Sequence, residues 1–143
     1  MLKKDITYTN YNGQTVTESF YFNLSPADLI DMQVEASDYD TPDEKGDTGY
    51  KAMINAIIKA SDVKALMKLF KDLISRSYGV KTPDGKHFYK GEDVFREFSS
   101  TEAYSALIMD LLSDTDHAVA FVTGIFPSAE SLKLEVVSGA SNE

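Results

Sequence analysis

Cysteine and tryptophan are absent from the 143-residue sequence, and histidine occurs only twice. Without cysteine, the chain has no disulfide framework, no thiolate zinc site and no thiol nucleophile. The two histidines, His87 and His117, stand in different segments and match no metal-ligand spacing. The sequence therefore predicts no metal site and no cofactor of these types.

Motifs of nucleotide binding and hydrolysis are missing as well. The glycines form neither a phosphate-binding loop nor a dinucleotide-binding pattern. An acidic stretch beginning at Asp38 has Pro42 and Gly49 where a calcium-binding loop needs oxygen ligands. Ser61 and Lys64 match a Ser-x-x-Lys pattern of penicillin-recognising enzymes, but its companion motifs are absent. Because no catalytic constellation remains, we predict a binding protein rather than an enzyme.

Long apolar runs are lacking too, although hydrophobic residues make up 43% of the chain. A stretch such as Ala118–Val122 is far shorter than the roughly 20 residues of a membrane span. A chain of this length and composition can bury a core as one domain. We expect a soluble protein that binds no membrane and, given its formal net charge of −9, no nucleic acid.

The negative charge is unevenly distributed along the chain. Residues 1–50 carry a net charge of −7 and residues 91–143 carry −8, whereas residues 51–90 carry +6. The acidic ends can neutralise the basic middle within one molecule, or the middle can offer a basic face to an acidic partner, such as a second copy. The sequence leaves both interpretations open.

The first 24 residues predict a β-hairpin. Two alternating segments flank Asn12 and Gly13, a pair typical of a type I′ turn. Phe20 and Phe22 lie on one apolar face of the second strand. Because a lone hairpin is marginally stable, this face must pack on helices, pair with a further strand or extend the sheet of a neighbouring subunit.

The remaining periodicity predicts helices. Helices are expected over 49–60, 63–78 and 92–98, with a short extended piece at 87–89. Gly79 is expected to end the second of these in the left-handed conformation. The expected helix starts, recognised by their capping residues, are Ser25–Asp28, Ser61–Asp62, Ser99–Glu102 and Ser113–Asp116.

These elements predict an α+β fold that is predominantly α-helical. We expect one compact domain over residues 1–127, with the hairpin at 1–24 and about five to six helices over 25–127. Residues 128–143 are expected to form a polar C-terminal tail. Partner binding is most plausible where a basic helix face and aromatic side chains are available. The candidate partner-binding residues are Lys64, Lys68, Lys71, Phe20, Phe22, Phe95 and Phe98.

Four stretches carry a family resemblance through their order and spacing: Ile6–Leu29, Ser77–Lys90, Phe95–Tyr104 and Asp114–Pro127. Together they resemble the tail assembly chaperones of long-tailed phages and prophages of Gram-positive bacteria. The resemblance implies a non-enzymatic protein that binds the tape measure protein and assists assembly of the tail tube, with the tail tube protein as a second partner. It also implies action in the cytoplasm of the infected host and absence from the mature virion.

Two other functions remain open from the sequence. One is a structural component of the virion, such as a head–tail connector or a tail-completion subunit, which would use the hairpin for pairing between subunits. The other is an acidic inhibitor that mimics DNA and binds a host defence protein, which rests on net charge alone.

Overall fold

The computed structural model combines a small antiparallel sheet with a larger helical part, so the predominantly helical α+β fold is confirmed. The structure describes residues 1–35, Ala52, Asn55, Ala56, Lys59 and 62–127. Those four isolated residues are helical and belong to the helix expected over 49–60. The acidic stretch from Asp38 and the tail over 128–143 lie outside the described residues.

Four strands and five helices have defined bounds in this part of the chain. In chain order they are β1 (Leu2–Thr9), β2 (Thr15–Phe22), α1 (Pro26–Glu35), α2 (Val63–Ser77), β3 (Tyr78–Lys81), β4 (Phe88–Tyr89), α3 (Glu92–Ser99), α4 (Glu102–Ser113) and α5 (Thr115–Ile125).

The predicted hairpin is confirmed, and it is half of a four-stranded antiparallel sheet with the order β1-β2-β3-β4. β1 and β2 pair without interruption from Leu2 opposite Phe22 to Thr9 opposite Thr15. Only the end of β2 continues into β3, where Tyr21 lies opposite Gly79. The hairpin thus pairs with a further strand. The part expected to be helical contains β3, which was not predicted, and β4, which confirms the short extended piece predicted at 87–89.

The turn of the hairpin is not the predicted type I′ turn, because positive φ occurs at Gly13 (+76°) and not at Asn12. The Gly13 N–H donates to the Asn10 carbonyl (3.0 Å), and the Asn10 N–H donates to the Gln14 carbonyl (2.8 Å). This pattern describes a three-residue loop with a left-handed glycine in its last position. The Asn10 side chain stabilises it by accepting from the N–H groups of Asn12 and Gln14.

One face of the hairpin covers the hydrophobic core and the other faces solvent. Phe22 is fully buried, and its ring meets those of Phe98 and Phe121 edge-on at 5.9 and 5.2 Å. On the opposite face the paired side chains are polar, as with Thr7 and Thr17, whose hydroxyls are 2.8 Å apart. The largest fully buried side chains of the core also include Leu24, Phe70, Leu73, Ile74, Leu107, Leu111, Val122 and Ile125.

Three of the four predicted helix starts have the expected capping residues. Of the residues predicted at these starts, only Ser61 lies outside the described residues. Ser25 and Asp28 bond each other's backbone N–H groups reciprocally, at 2.8 and 3.1 Å. Asp62 caps α2 and Asp114 caps α5 through side-chain oxygens. The capping box expected at Ser99–Glu102 is wrong, because the Thr101 hydroxyl donates instead to the Phe98 carbonyl at 2.7 Å.

The expected left-handed end of α2 at Gly79 is also wrong. The chain turns directly from Ser77 into β3, with Tyr78 already extended at φ −67° and ψ 136°. Glycine is required at position 79 because the packing leaves no room for a side chain, and not because of the backbone conformation. A Cβ at this position would lie 2.5 Å from Cε2 of the Phe88 ring, which covers the glycine.

Candidate partner-binding site

A groove runs between α2 and α3 and contains three of the candidate residues, Lys68, Lys71 and Phe95. Its volume is about 730 Å³. We call it the α2–α3 groove. It is lined by Ala65, Lys68, Leu69, Lys71, Asp72, Ser75, Glu92 and Phe95.

The lysine stripe follows from the amphipathic pattern of α2. Lys64, Lys68 and Lys71 recur at i, i+4 and i+7, which places them on one side of the helix. All three are exposed, whereas Phe70 and Leu73 on the opposite side are completely buried. Burial of the apolar side therefore fixes the lysines toward solvent.

The lysine stripe has no ion-pair partner in the part of the chain that the structure describes. In the described residues, no carboxylate lies within ion-pair distance of Lys64, Lys68 or Lys71. Asp72 lines the same groove, but its carboxylate is held by Arg76 at 3.1 Å within α2. Glu92 also lines the groove, from α3, so the lysines form a basic strip on its α2 side, to which an acidic partner can bind.

The apolar part of the groove comes from Leu69 and Phe95, both half-buried. The Phe95 ring lies edge-on against Tyr104 at 5.8 Å, an arrangement that holds it in place. Burial raises the pKa of the Tyr104 hydroxyl, which has no hydrogen-bond partner among the described residues. A fixed aromatic ring beside free ammonium groups suits an amphipathic ligand.

The other four candidates do not line the groove. Lys64 continues the lysine stripe on α2 but lies outside the groove lining. Phe22 is fully buried and Phe98 is 2% exposed, so both belong to the core. The Phe98 ring stacks on Tyr78 at 4.4 Å and meets Phe20 at 5.0 Å. Phe20 is half-buried against this cluster. The side chains of Phe22 and Phe98 are therefore not available to a partner in this conformation.

Leu69 is the groove residue that sequence reasoning missed. It follows Lys68 and belongs to a second stripe with Ala65 and Asp72, which recurs with the same spacing as the lysine stripe. Periodicity places Leu69 between the lysine stripe and the buried side of α2, but its position in a groove depends on the packing of α3 beside it.

The two histidines are exposed, as the sequence indicated. His87 stacks on Tyr89 with ring centroids 5.6 Å apart. His117 Nδ1 lies 2.8 Å from Asp110 and its Nε2 lies 3.4 Å from Asp114. The hydrogen bond with Asp110, together with the negative charge of both carboxylates, raises the pKa of His117 above its ordinary value.

Two negative findings hold for the part of the chain that the structure describes. No group of three or more His, Asp or Glu residues there is arranged to hold a metal ion. No helix there is both long enough and apolar enough to cross a membrane.

Comparisons with known proteins identify the chain at the level of a family. Neither a curated protein nor a solved structure matches it. The sequence profile described as phage tail assembly chaperone matches residues 1–135, which is nearly the whole chain. The order and spacing that carried the resemblance thus reflect membership, and the chain belongs to the phage tail assembly chaperone family.

Proposed function

We propose that this tail assembly chaperone binds the tape measure protein before the tail tube forms around it, and that the α2–α3 groove is the binding site. Family membership supports a role in tail assembly. The single observation that supports the site is that Lys68 and Lys71 line the groove beside the apolar Leu69 and Phe95 and form no ion pair with a carboxylate of the described residues.

The groove suits an amphipathic client helix. One apolar side chain of the helix would pack on Phe95 and Leu69, and carboxylates on the flanks would reach the lysines. Burial of apolar area supplies affinity, whereas the exposed charges mainly speed association and select the partner. A client coated in this way keeps its apolar face out of water, which prevents it from aggregating.

The protein acts within the infected cell during assembly, and we propose that it does so in the cytoplasm, without entering the mature virion. The tail tube protein would be its second partner, since the tube polymerises around the same client. Mass spectrometry of purified particles tests this part of the proposal. A stoichiometric amount of the chain in mature virions would favour the structural alternative.

Co-expression with the tape measure protein of the same phage or prophage tests the central claim. We expect the soluble fraction of the tape measure protein to rise when the chaperone is present and the two to be recovered together. Unchanged solubility together with no co-purification would reject client binding.

A charge-reversed variant tests the groove. Lys68→Glu/Lys71→Glu replaces attraction of an acidic client by repulsion, and we expect binding to weaken about tenfold. The matched control is Lys86→Glu/Arg96→Glu, which makes the same change of net charge at two exposed positions outside the groove lining. Equal binding by both variants would exclude the lysine stripe while leaving client binding itself intact.

A further inference from the structure

β1 is an edge strand whose outer hydrogen-bonding groups can be identified. The Asn23 N–H donates to the Ser77 carbonyl, so the odd-numbered residues of β2 direct their backbone groups toward β3 and away from β1. The even-numbered residues of β2 therefore bond β1, and they pair with the even-numbered residues of β1. The β1 residues whose N–H and C=O point away from the sheet are Lys3, Asp5, Thr7 and Thr9.

The outer edge of β1 carries few of the devices that blunt sheet edges. Such edges are usually short, bulged, covered, proline-containing or charged, and of these devices β1 has the charges of Lys3 and Asp5. β1 has eight residues in unbroken register with β2, it contains no proline, and all four outward residues are exposed. In the described residues, no backbone bond outside the sheet ladders occupies these four positions. With respect to residues 1–35 and 62–127, the edge is thus open to another strand.

Exposed apolar residues lie alongside the same edge. A second groove, of about 460 Å³, opens between the end of β1 and α4, and its lining includes Tyr8, Tyr11, Ala106 and Met109. Tyr11 is 76% exposed and Met109 is 61% exposed. Met1, which precedes β1, is 63% exposed. A strand added to β1 would cover side chains as well as backbone groups.

The sequence of β1 is self-complementary about more than one two-fold axis, and of the axes that oppose no like charges the one through Ile6 pairs the longest stretch of the strand. An antiparallel pair with its two-fold axis through Ile6 places Asp5 opposite Thr7 of the partner subunit and Lys3 opposite Thr9 of the partner subunit. It also brings the exposed Met1 toward the hairpin turn of the partner subunit, which carries the exposed Tyr11. An axis through Asp5 would oppose two aspartates, and an axis through Lys4 would oppose two lysines, both of which are unfavourable.

We propose that two copies of the chain pair through β1 about this axis and join their sheets into one continuous sheet. The occupant of the edge is a second copy because the register through Ile6 opposes no like charges and pairs the longest stretch of the strand. This interface is independent of the proposed client site, since the groove beside β1 shares no residue with the α2–α3 groove.

Two substitutions at Thr7 test both the pairing and its register. Thr7→Lys sets two ammonium groups against the two Asp5 side chains across the interface, whereas Thr7→Asp sets carboxylates there. We expect the dissociation constant of the dimer to fall about fivefold for Thr7→Lys and to rise about fivefold for Thr7→Asp. Sedimentation equilibrium or light scattering on the purified chain measures this constant. Both variants lose the Thr17 contact equally, so each serves as the control for the other.

Amide hydrogen exchange gives a second readout that does not depend on a variant. Protection of the Lys3, Asp5, Thr7 and Thr9 amides should increase with protein concentration, whereas the even-numbered amides of β1 should be protected at every concentration. A chain that stays monomeric from micromolar to near-millimolar concentration would overturn the proposal. Equal changes of the dissociation constant in the two Thr7 variants would also overturn it. So would changes of opposite sign to those expected, which an axis through Asp5 would produce because it places Thr7 opposite Lys3.

The client can also be distinguished from a second copy as the occupant of the edge. If the odd-numbered amides become protected only when the tape measure protein is added, the edge belongs to a client strand and self-pairing is rejected. Since the dimer is measured without any client, its failure leaves the proposed function unaffected.

Discussion

At the scale of single residues, the structure shows side chains whose roles depend on neighbours far away in the sequence. Phe22 and Phe98 look like candidate surface aromatics in the sequence, yet both are core residues. Gly79 was predicted to end a helix, but it is required because the ring of Phe88 lies directly against it. In each case the decisive neighbour lies on another element.

Substitution of Gly79 tests that close contact. Gly79→Ala would place its Cβ 2.5 Å from Cε2 and 2.7 Å from Cζ of Phe88, so the ring or strand must move. We expect a loss of about 1–3 kcal/mol in the free energy of unfolding, measured by urea denaturation. Phe88→Leu in the Gly79→Ala background should recover part of it, because leucine lacks the outer ring atoms. No recovery would place the cost in the contact with Lys90 Cγ, which would lie 2.9 Å from the new Cβ, or in the backbone.

The His117 side chain gives a pH dependence with a defined sign. Because Asp110 raises the pKa of His117 in the folded state, protonation stabilises the fold. This contribution is fully present below the ordinary histidine pKa of 6.5 and is lost as the pH rises through the higher folded value. We expect the NMR titration midpoint of the His117 ring to lie above 6.5.

Replacement of the neighbouring carboxylate provides the control for that titration. Asp110→Asn removes the acceptor 2.8 Å from Nδ1 and should lower the midpoint. Asp116→Asn, an exposed position on the same helix, should change it less, since Asp116 does not contribute to the shift. An unchanged midpoint in Asp110→Asn would show that this hydrogen bond does not form in solution.

At the scale of elements, local sequence signals located most of the strands and helices. The alternation around Asn12 and Gly13 predicted the hairpin, and Asp62 and Asp114 marked two helix starts. The turn type could not be predicted, because it depends on how the Asn10 side chain bonds the loop.

The cap of α2 offers a test at this scale. The Asp62 carboxylate accepts from the Lys64 N–H at 3.0 Å and the Ala65 N–H at 3.4 Å. Asp62→Ala leaves these donors to water, and we expect a loss of about 1 kcal/mol in the free energy of unfolding. Asp62→Asn keeps an acceptor oxygen and should cost much less. If both variants lose equal stability, charge near the helix end matters more than the hydrogen bonds.

At the scale of the whole molecule, the sequence indicated the fold class but not how the parts meet. Pairing of Tyr21 with Gly79 joins residues separated by the whole of α1 and α2, and no local pattern encodes it. The α2–α3 groove was half predictable: periodicity showed the lysine stripe, but the neighbouring position of Phe95 arises from packing of two helices. The sequence did not distinguish aromatic residues of the surface from those of the core, because both occur at similar positions in the hydrophobic pattern of their elements.

The position of the hairpin within the chain has a consequence for biosynthesis. β1 and β2 are translated before Tyr78, Phe98 and Phe121, the aromatic residues that cover the ring of Phe22. Translation adds residues slowly compared with hairpin formation. The apolar face of the hairpin therefore stays exposed to water on the ribosome until α3 and α5 have been made. A chaperone that shields another chain from aggregation therefore passes through a nascent stage in which its own first strands need the same protection.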